Sequence, residues 1–314
     1  MKKRKSIALM LIMLILTAAL AGCGNAVEDD AADTAVTITD MAGREITFDA
    51  PVERIVVLTP SDCEILYAVG AGDAVVGRGT YCDYPAEALD KPEVAAGADT
   101  NIEEIIALEP QVVLMNTMTQ TEEQVAALEE AGIKVVVSNA NDIAGVYTAI
   151  EMIGRMMGKD NEAQAVIDGM KKTFADVQSK AGGSSGQTVY FEVSPLEWGL
   201  WTAGSGTFMD EIAAMLGLTN IFADVEGWGE ISEEQVIERN PDIIVTITMY
   251  FGEGPTPEQE IADRAGWQGI AAISNGAVFN ADSNEISRPG PRLADAALAL
   301  CEFVYVTMAA DYAA

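Results

Sequence analysis

Histidine is absent from the 314-residue chain. Without an imidazole there is no Ser-His-Asp or Cys-His nucleophile, no ordinary zinc site and no histidine-ligated haem. Basic side chains are scarce, 18 against 49 acids, for a net charge of −31. A surface of that sign repels nucleic acid and bare anionic membrane, which removes both as main partners. Cysteine is rarer still. Cys23, Cys63, Cys82 and Cys301 form no CxxC pair, so neither a zinc knuckle nor a thioredoxin-like site is indicated. Cys301 falls in an apolar helical stretch and reads as core; Cys63 and Cys82 read as buried free thiols or as a disulfide. The H-E-x-x-H, P-loop and nucleophile-elbow patterns are missing too. No enzymatic chemistry, resident cofactor or metal is expected.

What is present begins with a basic start, Lys2 to Lys5, followed by an apolar and small-residue run from Ile7 to Ala21 and then LAGC, Leu20–Cys23. The run is shorter than the roughly 20 residues of a spanning helix, and no later run comes near that length. Residues 1–22 therefore read as a secretory signal. Ala21 and Gly22 suit a peptidase pocket and the Cys23 thiol suits lipidation, a pattern that resembles the bacterial lipoprotein signal. The chain is then expected in the cell envelope, extracytoplasmic and held to the cell membrane by two acyl chains, palmitate among them, since one chain anchors only weakly. Residues 23–35 carry four acids and no periodicity, and read as a flexible tether.

From Val36 the pattern is a hairpin, VTIT and EITF around Asp40–Arg44, and then alternating strands and helices. RIVVLTP (54–60) is a buried strand, and Ser61 with Glu64 reads as a capping box opening a helix that Gly70 stops. Asn101 with Glu104 and Thr121 with Gln124 cap the next two helices, and Val112–Met115 and Lys134–Val137 are strands. Asp142–Met157 and Glu162–Lys180 are helical, the second about 28 Å long at 1.5 Å per residue.

Then the first half returns. TVYFEVSP echoes RIVVLTP, EIAAMLG (211–217) echoes EILYAVG (64–70), and SEEQVIERNPDIIV (232–245) echoes NIEEIIALEPQVVL (101–114). The echoes keep their order at offsets of 135, 147 and 131, which points to two similar α/β lobes joined by one long helix. The expected divisions are an N-terminal lobe over 36–141, a helical segment with the bridging helix over 142–182 and a C-terminal lobe over 183–314.

YCDYP (81–85), NIEEIIALEPQVVL, LWTAGSGTFMDEI (200–212), GWGEISEEQV (227–236), GWQGIAAISNGAVF (266–279) and RPGPRL (288–293), in this order, resemble the class III, helical-bridge substrate-binding proteins of ATP-binding-cassette importers for cobalamin, ferric siderophores and haem. The resemblance spans nearly all the chain after Val36. It implies two Rossmann-like lobes with a ligand cleft between them, and YCDYP, LWTAG and GWGEIS look most like the cobalamin branch. Carried over by position, Tyr81, Trp201 and Trp228 would line the cleft against a corrin ring, where rigid aromatic faces bury area at little entropy cost. Asn284 would give a polar contact. A further family aromatic falls on Gly97. Tyr81 also reads as part of a packed turn with Tyr84 and Pro85. Arg288 and Arg292 either face an anionic ligand or hold the start of the last helix, which Pro291 opens and which runs to about Met308. Trp267 reads as structural.

The resemblance also gives one glutamate on each lobe a docking role on the importer's membrane subunits, at positions matching Glu103 and Glu234. The plainer reading is that acids in a helix's first turn complement its dipole. The expected partners are thus a small-molecule ligand and the permease, with the chain itself a monomer. A ferric siderophore or haem carrier is the alternative within the class; an extracytoplasmic hydrolase or a sensing ectodomain are the alternatives outside it.

Overall fold

The computed structural model describes residues 35–97, 99–117, 121–183 and 185–307; the expected signal and Cys23 lie outside them. A hairpin comes first, β1 (Val36–Thr39) antiparallel to β2 (Glu45–Phe48). Its turn needs a left-handed residue and has Gly43 at φ 80°. The buried Asp40 carboxylate accepts from the backbone N–H groups of Ala42, Arg44 and Val137 and from the Arg44 guanidinium, pinning the hairpin to the body.

The first sheet contains β3 (Ile55–Val57), β4 (Val75–Gly79), β5 (Glu93–Val94), β6 (Val112–Met115) and β7 (Lys134–Val137), in the order β5-β4-β3-β6-β7 and all parallel. Helices cover a parallel sheet on both faces, which is why its strands read as unbroken valine-rich runs. Around it lie α1 (Pro60–Ala68), α2 (Ile102–Ala107) and α3 (Glu122–Glu130). Two long helices follow, α4 (Ile143–Met156) and α5 (Asp160–Ala181). At 22 residues α5 spans about 33 Å; it buries Ala163, Ile167, Met170, Phe174 and Val177 along one stripe and closes on Gly182 at φ 67°.

The second sheet is β8 (Thr188–Ser194), β9 (Trp201–Ala203), β10 (Thr219–Asn220), β11 (Trp228–Glu230), β12 (Ile243–Thr246) and β13 (Val278–Asn280). Its order is β11-β9-β8-β12-β13, with β10 also on β8. The β10, β8, β12 and β13 pairings are parallel, whereas β9 and β11 run antiparallel. Neither strand is expected from the sequence, and β9 occupies the extra length between Pro195 and Glu211 that separates the echo offsets of 135 and 147.

The duplication is physical. The second half has the helices α6 (Phe208–Met215) and α7 (Glu233–Arg239). α2 and α7 are both followed by a left-handed non-glycine residue before a proline, Glu109 at φ 49° and Asn240 at φ 46°, and the prolines forbid either helix from continuing. In both copies the residue after that proline holds the first strand: Gln111 accepts from Arg54 N and Asp242 from Thr188 N. The last helix is shorter than expected. It runs Leu293–Glu302, starts two residues past Pro291, and widens into a π-turn over Phe303–Thr307, where Phe303 stacks on Phe279 at 4.8 Å.

Candidate functional site

The chain leaves β3, β6 and β7 at Thr59, Asn116 and Ser138, and leaves β8 and β12 near Ser194 and Ile247; all five residues line one cavity of about 630 Å³. The cavity therefore lies at the carboxyl ends of the strands of both sheets, where open α/β sheets place their ligands, and its volume suits a small molecule.

Trp201, Trp228, Tyr81, Asn284 and Arg288, the five residues expected at the ligand, all line this cavity. Trp228 pairs opposite Ala203 and Glu230 opposite Trp201 in the β9–β11 ladder. The period of two in a strand puts both indoles on one face, diagonally apart. They remain 41% and 38% exposed, and Trp228 is backed by the Phe208 ring at 5.4 Å. Gly204 permits this arrangement: a Cβ there would sit 2.0 Å from the Val225 carbonyl oxygen, so only glycine lets the Ser205–Glu226 bridge close beside β9. Tyr81 stands 70% exposed at the rim. In its turn it is Tyr84 that is held, under the Arg292 guanidinium at 4.0 Å. Asn284 is in a short helix, Ser283–Ile286, capped by Asp282, which accepts from its backbone N–H at 2.8 Å.

Arg288 and Arg292 are both engaged with Glu64, whose own place differs from the expected one. Thr59, not Ser61, precedes the first turn of α1, its side chain makes no cap, and Pro60 occupies the first helical position. Glu64 is thus released from the expected capping box. Its buried carboxylate accepts from Arg292 Nε at 2.9 Å and Nη2 at 2.6 Å and from Arg288 Nη1 at 3.2 Å, while Asp83 accepts from Arg288 Nη1 at 2.7 Å. Burial works against the Asp83 charge, but the Arg288 guanidinium outweighs it and holds that carboxyl below its ordinary pKa. The Glu64 carboxylate likewise raises the pKa of Arg292.

Arg288 is the one charged residue among the described residues of the cavity wall, and two carboxylates already neutralise it. The rest of the wall is aromatic, aliphatic or neutral polar, including Asn116, Asn139, Asn141 and Asn284. The first three were not singled out from the sequence. Each stands at or just after the end of an expected strand, a placement that sheet topology makes informative. Beneath the floor, Asp62 is fully buried and burial pushes its carboxyl up to about 7; the Ser138 and Thr59 hydroxyls oppose this, yet neither carboxylate oxygen has a full hydrogen bond. Cys63, Cys82 and Cys301 are buried free thiols.

Glu103 and Glu234 are exposed and lie outside the cavity. Their helices are capped as the echo requires, α7 by a full Ser232–Gln235 box and α2 by Asn101 accepting from Glu104 N at 3.2 Å. Glu233, next to Glu234, accepts from the indole N–H of the buried Trp267 at 2.9 Å. Among the described residues no helix is long and apolar enough to cross a membrane.

Residues 55–285 match the periplasmic binding protein family, and the chain belongs to it. It is 34% identical to YvrC of Bacillus subtilis, an uncharacterised ABC transporter substrate-binding lipoprotein, over 97% of this chain and 98% of that one. It is 30% identical to a cobalamin-binding protein of Halobacterium salinarum, over 85% of this chain and 73% of that one. Among solved structures, a possible iron-binding, periplasmic solute-binding protein of Staphylococcus epidermidis superposes with a TM-score of 0.69 at 30% identity, covering 81% of this chain and 99% of that one. The two-lobed α/β fold is thus that of the class III binding proteins, and the relatives are solute-binding proteins of ABC importers, not enzymes.

Proposed function

We propose that this substrate-binding protein carries a corrinoid, a cobalamin-like ligand, to the permease of its importer. The observation that supports this best is the neutrality of the cleft. A corrin is a broad, flat body fringed with amides; two diagonal indoles and the Tyr81 ring offer it faces, and the asparagines offer amide partners to its fringe. An anionic iron chelate would need unpaired cationic side chains, and the single arginine of the wall is already satisfied by Glu64 and Asp83. Tyr81, Trp201, Trp228, Asn284 and Arg288 are the proposed contacts, with Arg288 in a positioning role. Glu103 and Glu234 are the proposed docking points on the permease, steering and registering the complex more than tightening it. Cys23 is the proposed site of lipid attachment, in keeping with the lipoprotein relative; palmitate labelling lost in Cys23→Ser tests it.

The ligand assignment is tested by mixing the purified mature chain with cobalamin, cobinamide, haem and a panel of ferric siderophores, desalting, and recording visible spectra. A co-eluting corrin spectrum is expected. Retention of iron compounds alone would replace this reading with an iron carrier, the alternative that the likeness to the Staphylococcus protein favours.

A further inference from the structure

Apolar side chains stranded on the surface are informative when their positions are not random. Among the described residues the two exposed isoleucines are Ile106 and Ile237, each 40% exposed. They are 131 residues apart, the offset that relates α2 to α7. Each stands three residues after an exposed glutamate, Glu103 and Glu234, and so shares its helix face one turn on. The residues between them show that this is no general likeness of the two helices. Ile105 and Val236 are both buried, as a common fold demands. Glu104 corresponds to Gln235 and Leu108 to Arg239, so the surfaces have otherwise diverged. An acid and an exposed isoleucine recur together on both lobes.

We propose that Glu103 with Ile106 and Glu234 with Ile237 form two matched contacts, each an acidic point beside an apolar knob, that seat on two like protein surfaces related by a two-fold axis. Each receiving surface would offer a cationic side chain next to an apolar dimple. This rests on the docking reading above and deepens it: the partner is the pair of membrane subunits, and the isoleucines supply the desolvated centre that the glutamates alone lack. An exposed acid in high dielectric contributes little binding, while burying an isoleucine strengthens association by roughly tenfold per side chain. The charge would set approach and register, and the apolar knob the lifetime.

The test compares association of the ligand-loaded chain with its importer's membrane subunits held in nanodiscs. The variants are Ile106→Gln, Ile237→Gln, their double, the Ile→Leu double, and the Glu103→Arg/Glu234→Arg double. Melting and ligand affinity of each free variant are measured alongside, so that a folding defect is seen directly. Each Gln variant should weaken association about tenfold and to a similar extent, and the double about a hundredfold. Ile→Leu should be near neutral, and cargo affinity should not change. If charge reversal abolishes association while the Gln variants keep it, the isoleucine contact is overturned and docking through the glutamates stands. If neither set changes association, the docking reading falls as well. If one isoleucine matters and the other does not, the matched two-fold contact is wrong.

Discussion

Strands β3 and β8 each open a sheet, each pair in parallel with the strand that follows the helix-proline echo, and each end shortly before a proline, Pro60 or Pro195. At equivalent places in that echo β3 has Val57 and β8 has Glu192. The buried Glu192 is answered by Arg264, with contacts of 2.6 and 2.9 Å, and Arg264 also pairs with Glu260 and lies over Trp267 at 4.7 Å. The first helices show the reverse exchange. α1 buries Asp62 where its counterpart, Phe208–Met215, buries Met209. Each lobe has therefore hidden one carboxyl where the other keeps an apolar residue, but only Glu192 received a partner. Fold position alone does not decide whether a buried acid is tolerable; the neighbouring side chains do.

Breaking the answered pair should have the largest effect. Glu192→Ala removes the buried partner of the Arg264 guanidinium, leaving it only the exposed Glu260, and should cost about 3 kcal/mol, read as a lowered urea midpoint; replacing Val57 by Ala at the equivalent place should cost less, since it leaves no charge unpaired. Relieving the unanswered acid should work in the opposite direction. With a folded pKa near 7 against 3.8 for the free group, the folded chain holds a proton that the unfolded chain has lost between those values. Stability from this group thus falls as pH rises from about 4 to 7. Asp62→Asn should raise stability at pH 8 by up to about 4 kcal/mol and bring almost nothing at pH 4, measured by urea unfolding at both. On the cleft walls, Trp201→Ala should weaken cargo binding by roughly thirtyfold or more, with Tyr81→Ala weakening it less because the rim is wetter; calorimetric titration measures both. The smallest contrast lies in the caps. Ser232→Ala removes a reciprocal box and should cost about 1 kcal/mol, and Asn101→Ala, with one bond to lose, somewhat less; paired thermal melts would rank them.

Much of this architecture could be read from residues alone. The hairpin, the strands at Val112–Met115 and Lys134–Val137 and the helix caps at Thr121 and Ser232 follow from local chemistry that the fold does not overrule. The cleft residues came from the order of motifs, and the structure brings Tyr81, Trp201, Trp228, Asn284 and Arg288 to one cavity. Long-range pairing was not legible. A Ser–x–x–Glu after a strand looks like a cap whether or not it is one, and nothing local announces that Glu64 reaches Arg288 and Arg292, more than 220 residues away in sequence. The antiparallel β9 and β11 were hidden for a related reason: strands of three residues carry too few side chains to show alternation.

Glu64 and its echo Glu211 both reach out of their own lobe. The first grips the arginines that follow the second sheet; the second accepts from the backbone N–H of Ile143 at 2.7 Å, beside a Phe208 N–H to Asn141 carbonyl bond at 2.9 Å. The halves are thus fastened to each other by two separate sets of hydrogen bonds, like a book with two clasps. Such a carrier gains little from wide opening in solution.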